Sequence, residues 1–227
     1  MSADRELDIV RHPRARSCRL SLDPVTGRAR LTVPKRAALK PALAWAEGKS
    51  QWLAEQRSRL PAARPFVSGV VLPVADEALS ISWAEGTRRT VLRRGDTLLV
   101  EGPQETVGRR VELWLRRMAL DLLSRETAEF AALAGVTVSQ VAIGDPRGRW
   151  GSCASTGVIR YSWRLLLAPG FVRRATVAHE VAHRVHMNHG TAFHALVAEL
   201  LRDDPKQALT WLRQHGAGLH WYGRSSS

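Results

Sequence analysis

Cysteine is almost missing from this chain. Its 227 residues include only Cys18 and Cys153, too few and too far apart for a disulfide framework. The first stretch lacks the apolar core of about 7–15 residues that marks a secretory signal. No later run approaches the roughly 18 uninterrupted apolar residues of a membrane span. There is no G-x-x-x-x-G-K-[ST] loop, so any nucleotide chemistry would have to proceed without a P-loop. No internal repeat is present. These absences lead to the expectation of a globular protein in a reducing cytoplasm, with no membrane partner. Lysine is scarce too, at 4 residues against 30 arginines.

What is abundant is apolar residues, 44% of the chain, and positive charge, a formal +13. The first suffices for the core of one large domain or two small ones. The second is unevenly spread. Residues 1–60 carry 13 basic and 6 acidic side chains, residues 61–140 carry 10 of each, and residues 141–227 carry 11 and 5. Two basic ends around a neutral middle suit DNA or another polyanion as a partner, although an Arg- and Ala-rich coding bias would produce part of the same pattern.

Cys18, Leu20 and Leu22 alternate with polar residues, as do Ala29, Leu31 and Val33, and Asp23-Pro24 to Gly27 supplies turn residues between them. This reads as a β-hairpin. After Pro34 the period changes, and Ala38, Ala42, Trp45 and Trp52 fall on one side of a helix expected to run to about Leu60, with both tryptophans in the core rather than on a base-stacking surface. The segment from Pro61 to Phe66 punctuates the chain as a linker. Strands are expected at Leu79–Trp83 and Thr97–Gly102, then a helix from Gln104 to Ala134 with Val107, Val111, Trp114, Met118 and Leu122 on its inner face, stopped by Gly135. Further strands are expected over Val136–Ile143 and Val158–Leu167. The order follows no regular βαβ alternation, so the expected class is α+β, with an N-terminal hairpin-and-helix subdomain over residues 1–66, a larger domain over 67–223 and a flexible tail over 224–227.

Five of the eight histidines crowd between His179 and His194. His179 and His183 are four apart on a segment with helical periodicity, so both imidazoles can reach one metal ion. With Glu180 they form H-E-x-x-H, in which the two histidines bind zinc and the glutamate takes a proton from a water. The ordinary alternative is a surface helix carrying scattered histidines. Catalytic zinc needs a third protein ligand and an open position. A residue two turns along a straight helix lies roughly 10 Å from the first, too far to share an ion at about 2 Å, which disfavours His186. His189 is preferred, because Asn188 can end the helix in the left-handed conformation and Gly190 lets the chain swing back.

The blocks "RWGSC", "YSWRLLLAP", "HEVAHRVHMNHGTAF" and "LHWYG" occur in that order between Arg149 and Gly223. Together they resemble the YgjP-like zinc metallopeptidase family, relatives of the SprT-like and Wss1-like zinc proteases. The resemblance implies a zincin-like catalytic domain with one zinc ion, His179, His183 and His189 as its ligands, Glu180 as catalytic acid and base, and a polypeptide as substrate. Ser162, Gly190 and His194 stand where the family often has Asn, Ser and Trp, and none of these is a ligand. Arg149, Tyr161, His186 and Tyr222 are candidates for holding the developing oxyanion, and Arg149, Trp150, Tyr161 and His186 for the wider shell of the site. The strand after Trp150 offers an edge to which a peptide could add. For Trp150 and Cys153 the base rates for buried aromatics and thiols favour packing over a role in the site.

Two other functions fit parts of the pattern. A zinc-activated water among arginines could hydrolyse nucleotide phosphoanhydrides. A basic hairpin over Arg16–Arg30 could instead dock on DNA or RNA, the zinc being non-catalytic, although structural zinc usually has four protein ligands.

Overall fold

Alternation of apolar and polar residues becomes a small sheet near the N-terminus. β2 (Arg19–Leu22) pairs antiparallel with β3 (Ala29–Pro34), and β1 (Leu7–His12) pairs parallel with the other edge of β3. Ala29, Leu31 and Val33 are buried, while Arg30 between them is exposed. The turn is fixed by Asp23, whose Oδ1 accepts from the Val25 amide at 2.8 Å. Gly27 takes the left-handed φ of 72°. The computed structural model describes residues 7–88 and 90–224, so the tail expected at 224–227 lies outside the described residues from 225 on. The chain separates into two compact units, Met1–Ala62 and Ala63–Ser227.

In the first unit the single helix expected up to Leu60 is two helices, α1 (Leu39–Glu47) and α2 (Ser50–Ser58). Gly48 closes α1, donating to the Ala44 carbonyl at 3.1 Å, and Lys49 departs from helical angles at φ −103°, ψ 16°. Glycine is a poor helix former, and the periodicity passes through it unbroken, so the break is hidden from pattern alone. Ala42 and Ala46 are buried against Leu31 and Val33. Trp45 and Trp52 remain 41% and 37% exposed, which corrects the expectation that they are core. The alanines, which approach the sheet closely, take the buried face instead.

The second unit holds two sheets. β4 (Val71–Val74), β5 (Glu77–Ala84), β6 (Val91–Arg94) and β7 (Thr97–Glu101) order as β4-β5-β7-β6; β8 (Gln140–Gly144), β9 (Gly151–Cys153) and β10 (Val158–Ser162) order as β8-β10-β9. β9 is therefore an edge strand, antiparallel to β10. Between the sheets in sequence runs α3 (Val107–Leu133), whose buried stripe is Val107, Val111, Leu115, Ala119 and Leu123. Trp114, Met118 and Leu122 pack at the margin of that stripe. Gly135, at φ 64°, ends α3: its amide bonds to the Ala132 carbonyl at 3.2 Å and the Val136 amide to that of Ala131 at 3.0 Å. This pair of bonds satisfies carbonyls that a helix end leaves open.

The strand expected over Val158–Leu167 stops at Ser162 and becomes a buried 3₁₀ turn, Trp163–Leu167. Ser162 caps the turn, its Oγ accepting from the Arg164 amide at 3.3 Å. Then come α4 (Gly170–Ala182), α5 (Thr191–Leu201) and α6 (Pro205–Leu219). The tight Ala75-Asp76 turn between β4 and β5, with φ of 51° and 69°, presents Asp76 Oδ1 to the Gly170 amide at 2.6 Å. Arg173, one turn later, pairs with buried Glu126 at 3.0 Å and with Asp76 at 3.3 Å. The start of α4 is thus fixed to α3 and to the first sheet. The mixture of sheets and helices is α+β. Among the described residues no helix is long and apolar enough to cross a membrane.

Candidate metal centre

α4 carries His179 on its last turn, and His183 caps its end. The chain leaves the helix there through short bonds, Arg184 amide to Val181 carbonyl at 2.8 Å and His186 amide to Ala182 carbonyl at 2.9 Å. No residue from Arg184 to Gly190 has positive φ, and Gly190 is extended at φ −75°, ψ −179°. The expected left-handed Asn188 is therefore corrected: the helix ends before it, so no special conformation is needed to reverse the chain. The reversal brings His189 back against the helix. His179, His183 and His189 place their ligating atoms within 4.8 Å of one another, and among the described residues they are the cluster that could hold a metal ion. His179 Nε2 and His189 Nε2 lie 3.2 Å apart. Two nitrogens each about 2.0 Å from a tetrahedral ion are separated by roughly 3.3 Å, so this pair already spans one edge of such a site.

His186 contributes its main chain. Its carbonyl lies 3.0 Å from His183 Nδ1. With the proton on Nδ1, that bond fixes the ring and leaves Nε2 as a lone-pair donor, the arrangement usual behind metal-bound histidine. Phe193, on the first turn of α5 and fully buried, was not singled out by sequence. Its ring centroid is 4.9 Å from that of His179, 4.6 Å from His183 and 4.8 Å from His189. One aromatic ring thus supports all three imidazoles. His194 stands at the rim, 6.3 Å from His189 between centroids.

Burial, then the neighbouring histidines, pushes the pKa of His179 down to about 4, and burial also lowers that of His183. Both rings are then neutral at neutral pH, the form that can donate a lone pair to a metal. Burial pushes the Glu180 carboxyl up to about 7, with the Arg149 charge partly opposing it. A carboxyl near 7 can both accept and release a proton at neutral pH. Glu180 is 5% exposed, and the β9 backbone lies on top of it. A Cβ built on Gly151 would come 2.5 Å from Glu180 Oε1 and 2.6 Å from its Cγ. Only glycine permits that approach.

Of the other candidates, Arg149 reaches the site through its charge on Glu180. Trp150 packs on His220, with centroids 5.3 Å apart, and against Gly216, where a Cβ would meet its ring at 2.8 Å. Tyr161 is fully buried, its hydroxyl 3.0 Å from Thr127 Oγ1 and its pKa raised by burial. The Tyr222 hydroxyl accepts from Arg64. Both hydroxyls are thus engaged by other residues of this unit, that of Tyr161 in the core and that of Tyr222 nearer the surface. Cys153 bonds weakly to the Ala154 carbonyl, and its thiol pKa is raised by burial.

Three of the sequence blocks meet in a network behind Trp150. Arg164 donates to both oxygens of Asp145, at 2.7 and 3.0 Å, and to the carbonyls of Leu219 and Tyr222, at 2.7 and 3.0 Å. Burial favours the neutral acid at Asp145, but the bonds and charge from Arg164 win and hold it below the usual carboxylate range. His220 Nδ1 is 3.9 Å from Asp145, and burial with the Arg164 charge pushes the His220 pKa down to about 4. The network ties the loop before β9, the 3₁₀ turn and the C-terminal segment together, and so holds Trp150 and Gly151 in place.

A family model described as a YgjP-like metallopeptidase domain matches residues 16–215. The chain belongs to this family. No curated protein and no solved structure matches it. Membership in a metallopeptidase family implies a metal, and in this YgjP-like domain the histidine trio is a group whose chemistry and spacing fit one.

Proposed function

We propose that this YgjP-like domain hydrolyses peptide bonds in a polypeptide substrate, with one zinc ion held by His179, His183 and His189 and with Glu180 as general base. The reading rests on one observation: three imidazole donors converge within 4.8 Å beside a buried carboxyl whose pKa is raised to about 7. Three neutral nitrogen ligands suit a catalytic zinc, because they leave a fourth position open. When bound, zinc supplies a water acidified to a pKa of about 7 and a Lewis acid for the scissile carbonyl.

The chain's own residues do the rest. No hydrogen bond with another described residue occupies the Glu180 oxygens, so they are available to take the proton of the attacking water and return it to the leaving amine. Arg149 favours the ionised form of that carboxyl and so keeps it ready as a base. His183 is oriented by the His186 carbonyl and cannot turn away from the ion without losing that bond. β9, an edge strand whose Gly151 touches Glu180, offers main-chain groups to an extended substrate. A peptide added there runs past the base at backbone distance.

The deciding comparison is wild type against Glu180→Gln on unfolded protein substrates, with nucleotides run beside them. The variant should retain zinc and lose cleavage by about 10²–10⁴-fold. Equal protein cleavage by the two forms, or phosphate release from nucleotides as the sole zinc-dependent activity, ends this reading.

A further inference from the structure

Tryptophan gains more from burial than most side chains, yet Trp45 and Trp52 stay 41% and 37% exposed in the first unit. They line one groove of about 210 Å³, together with Leu20 and Lys49. Lys49 sits in the break between α1 and α2, so an ammonium stands between two indole rings along the chain. The unit as a whole is one-sided in charge. Among the described residues of this unit the exposed acids are Glu47 and Glu55, with Asp8 half-buried, while the exposed bases include Arg14, Arg16, Arg19, Arg36, Lys40 and Lys49. Asp8 is already paired with Arg28 at 3.6 Å. None of those six bases forms an ion pair with another described residue.

From these features we infer that the first unit binds single-stranded nucleic acid, with bases stacking on Trp45 and Trp52 and the backbone held by Lys49 and other exposed bases of the unit. Charge alone attracts any polyanion and gives binding that weakens steeply with salt. Exposed indoles beside that charge serve a ligand that brings planar faces as well as phosphates. A duplex hides its base faces inside its stack, an acidic peptide has none, and an apolar peptide has no use for the positive field. A single strand presents both groups, and stacking tolerates any sequence because every base has a π-face. This goes beyond peptide hydrolysis and needs neither the metal nor Glu180.

The experiment uses the full chain, metal-free, as wild type and as Glu180→Gln. Binding of labelled single-stranded oligo-dT and oligo-U is measured against a duplex of equal length and against poly-glutamate, at low and at moderate salt. The two proteins should bind both single strands equally well. Trp45→Leu and Trp52→Leu keep apolar bulk at exposed positions, so folding is preserved, and each should weaken single-strand binding by about fivefold or more. The corresponding Trp→Phe changes, which keep a stacking face, should restore most of it. Duplex and poly-glutamate binding should hardly change. If the leucine variants bind single strands as wild type does, or lose all three polyanions equally, the inference is overturned. Lack of single-strand binding at low salt overturns it as well, whatever the peptidase assay shows.

Discussion

Gly151 lies against the carboxyl of Glu180 so closely that a methyl group there would come 2.5 Å from Oε1. The strand proposed to receive the substrate and the residue proposed as base are thus one packed unit. Gly151→Ala must move one of them. Since the atoms nearest the added methyl all belong to Glu180, metal content should stay at the wild-type level while kcat/KM falls at least about tenfold, a loss of about 1.4 kcal/mol of transition-state stabilisation. Parallel metal analysis and kinetics check this, and a fully active alanine variant would contradict the placement.

Metal should act as a folding ligand. A zinc concentration 100 times the dissociation constant stabilises the native state by about 2.7 kcal/mol, provided the unfolded chain binds little. Thermal melts with and without chelator should show that gap in wild type. His189→Ala should abolish most of it while leaving the chelated protein's melting point nearly unchanged, since His189 is exposed.

Arg164 closes the network behind Trp150 with four hydrogen bonds. Replacing it with methionine leaves the Asp145 carboxylate and two carbonyls without partners. The expected cost is about 3–5 kcal/mol, read from denaturant midpoints. Arg164→Lys should recover little of it, because an ammonium cannot bridge both carboxylate oxygens and reach two carbonyls in that geometry.

His220 gives the same network a pH dependence. Its pKa falls from an ordinary 6.5 to about 4 in the folded protein. Between those values the unfolded chain binds more protons, so stability rises with pH across this window and is lost as pH falls through it. The His220 contribution amounts to up to about 3 kcal/mol. In metal-free protein the stability of His220→Gln relative to wild type should therefore improve between pH 7 and pH 4.5, and a pH-independent difference would exclude this origin.

The histidine cluster that could hold a metal was more legible in the sequence than the architecture around it. His179, Glu180 and His183 are fixed relative to one another by helical spacing alone, and the reach of a metal–nitrogen bond suffices to prefer His189 over His186. What spacing could not show is support from a distance. Phe193 looks like any core aromatic of an amphipathic helix until the chain reversal brings it under the imidazoles. Asp145, Arg164 and His220 are separated by up to 75 residues, and only the fold makes them one network. The strands β1, β4 and β6 escaped for a different reason, since each lies at a sheet edge, where alternation is weakly enforced. The tryptophans misled because periodicity identifies a helix face without saying how closely that face approaches its neighbour.

All three proposed metal donors come from 11 consecutive residues, 179–189, whereas Gly151 stands 29 positions upstream of the glutamate it covers. On the proposed function, capture of the ion would be a local event along the chain and assembly of the cleavage site a long-range one. If the trio holds zinc as proposed, a polypeptide still searching for its native contacts can acquire the ion before it can cut, and metal occupancy would overstate the fraction of active molecules in any preparation that is partly folded.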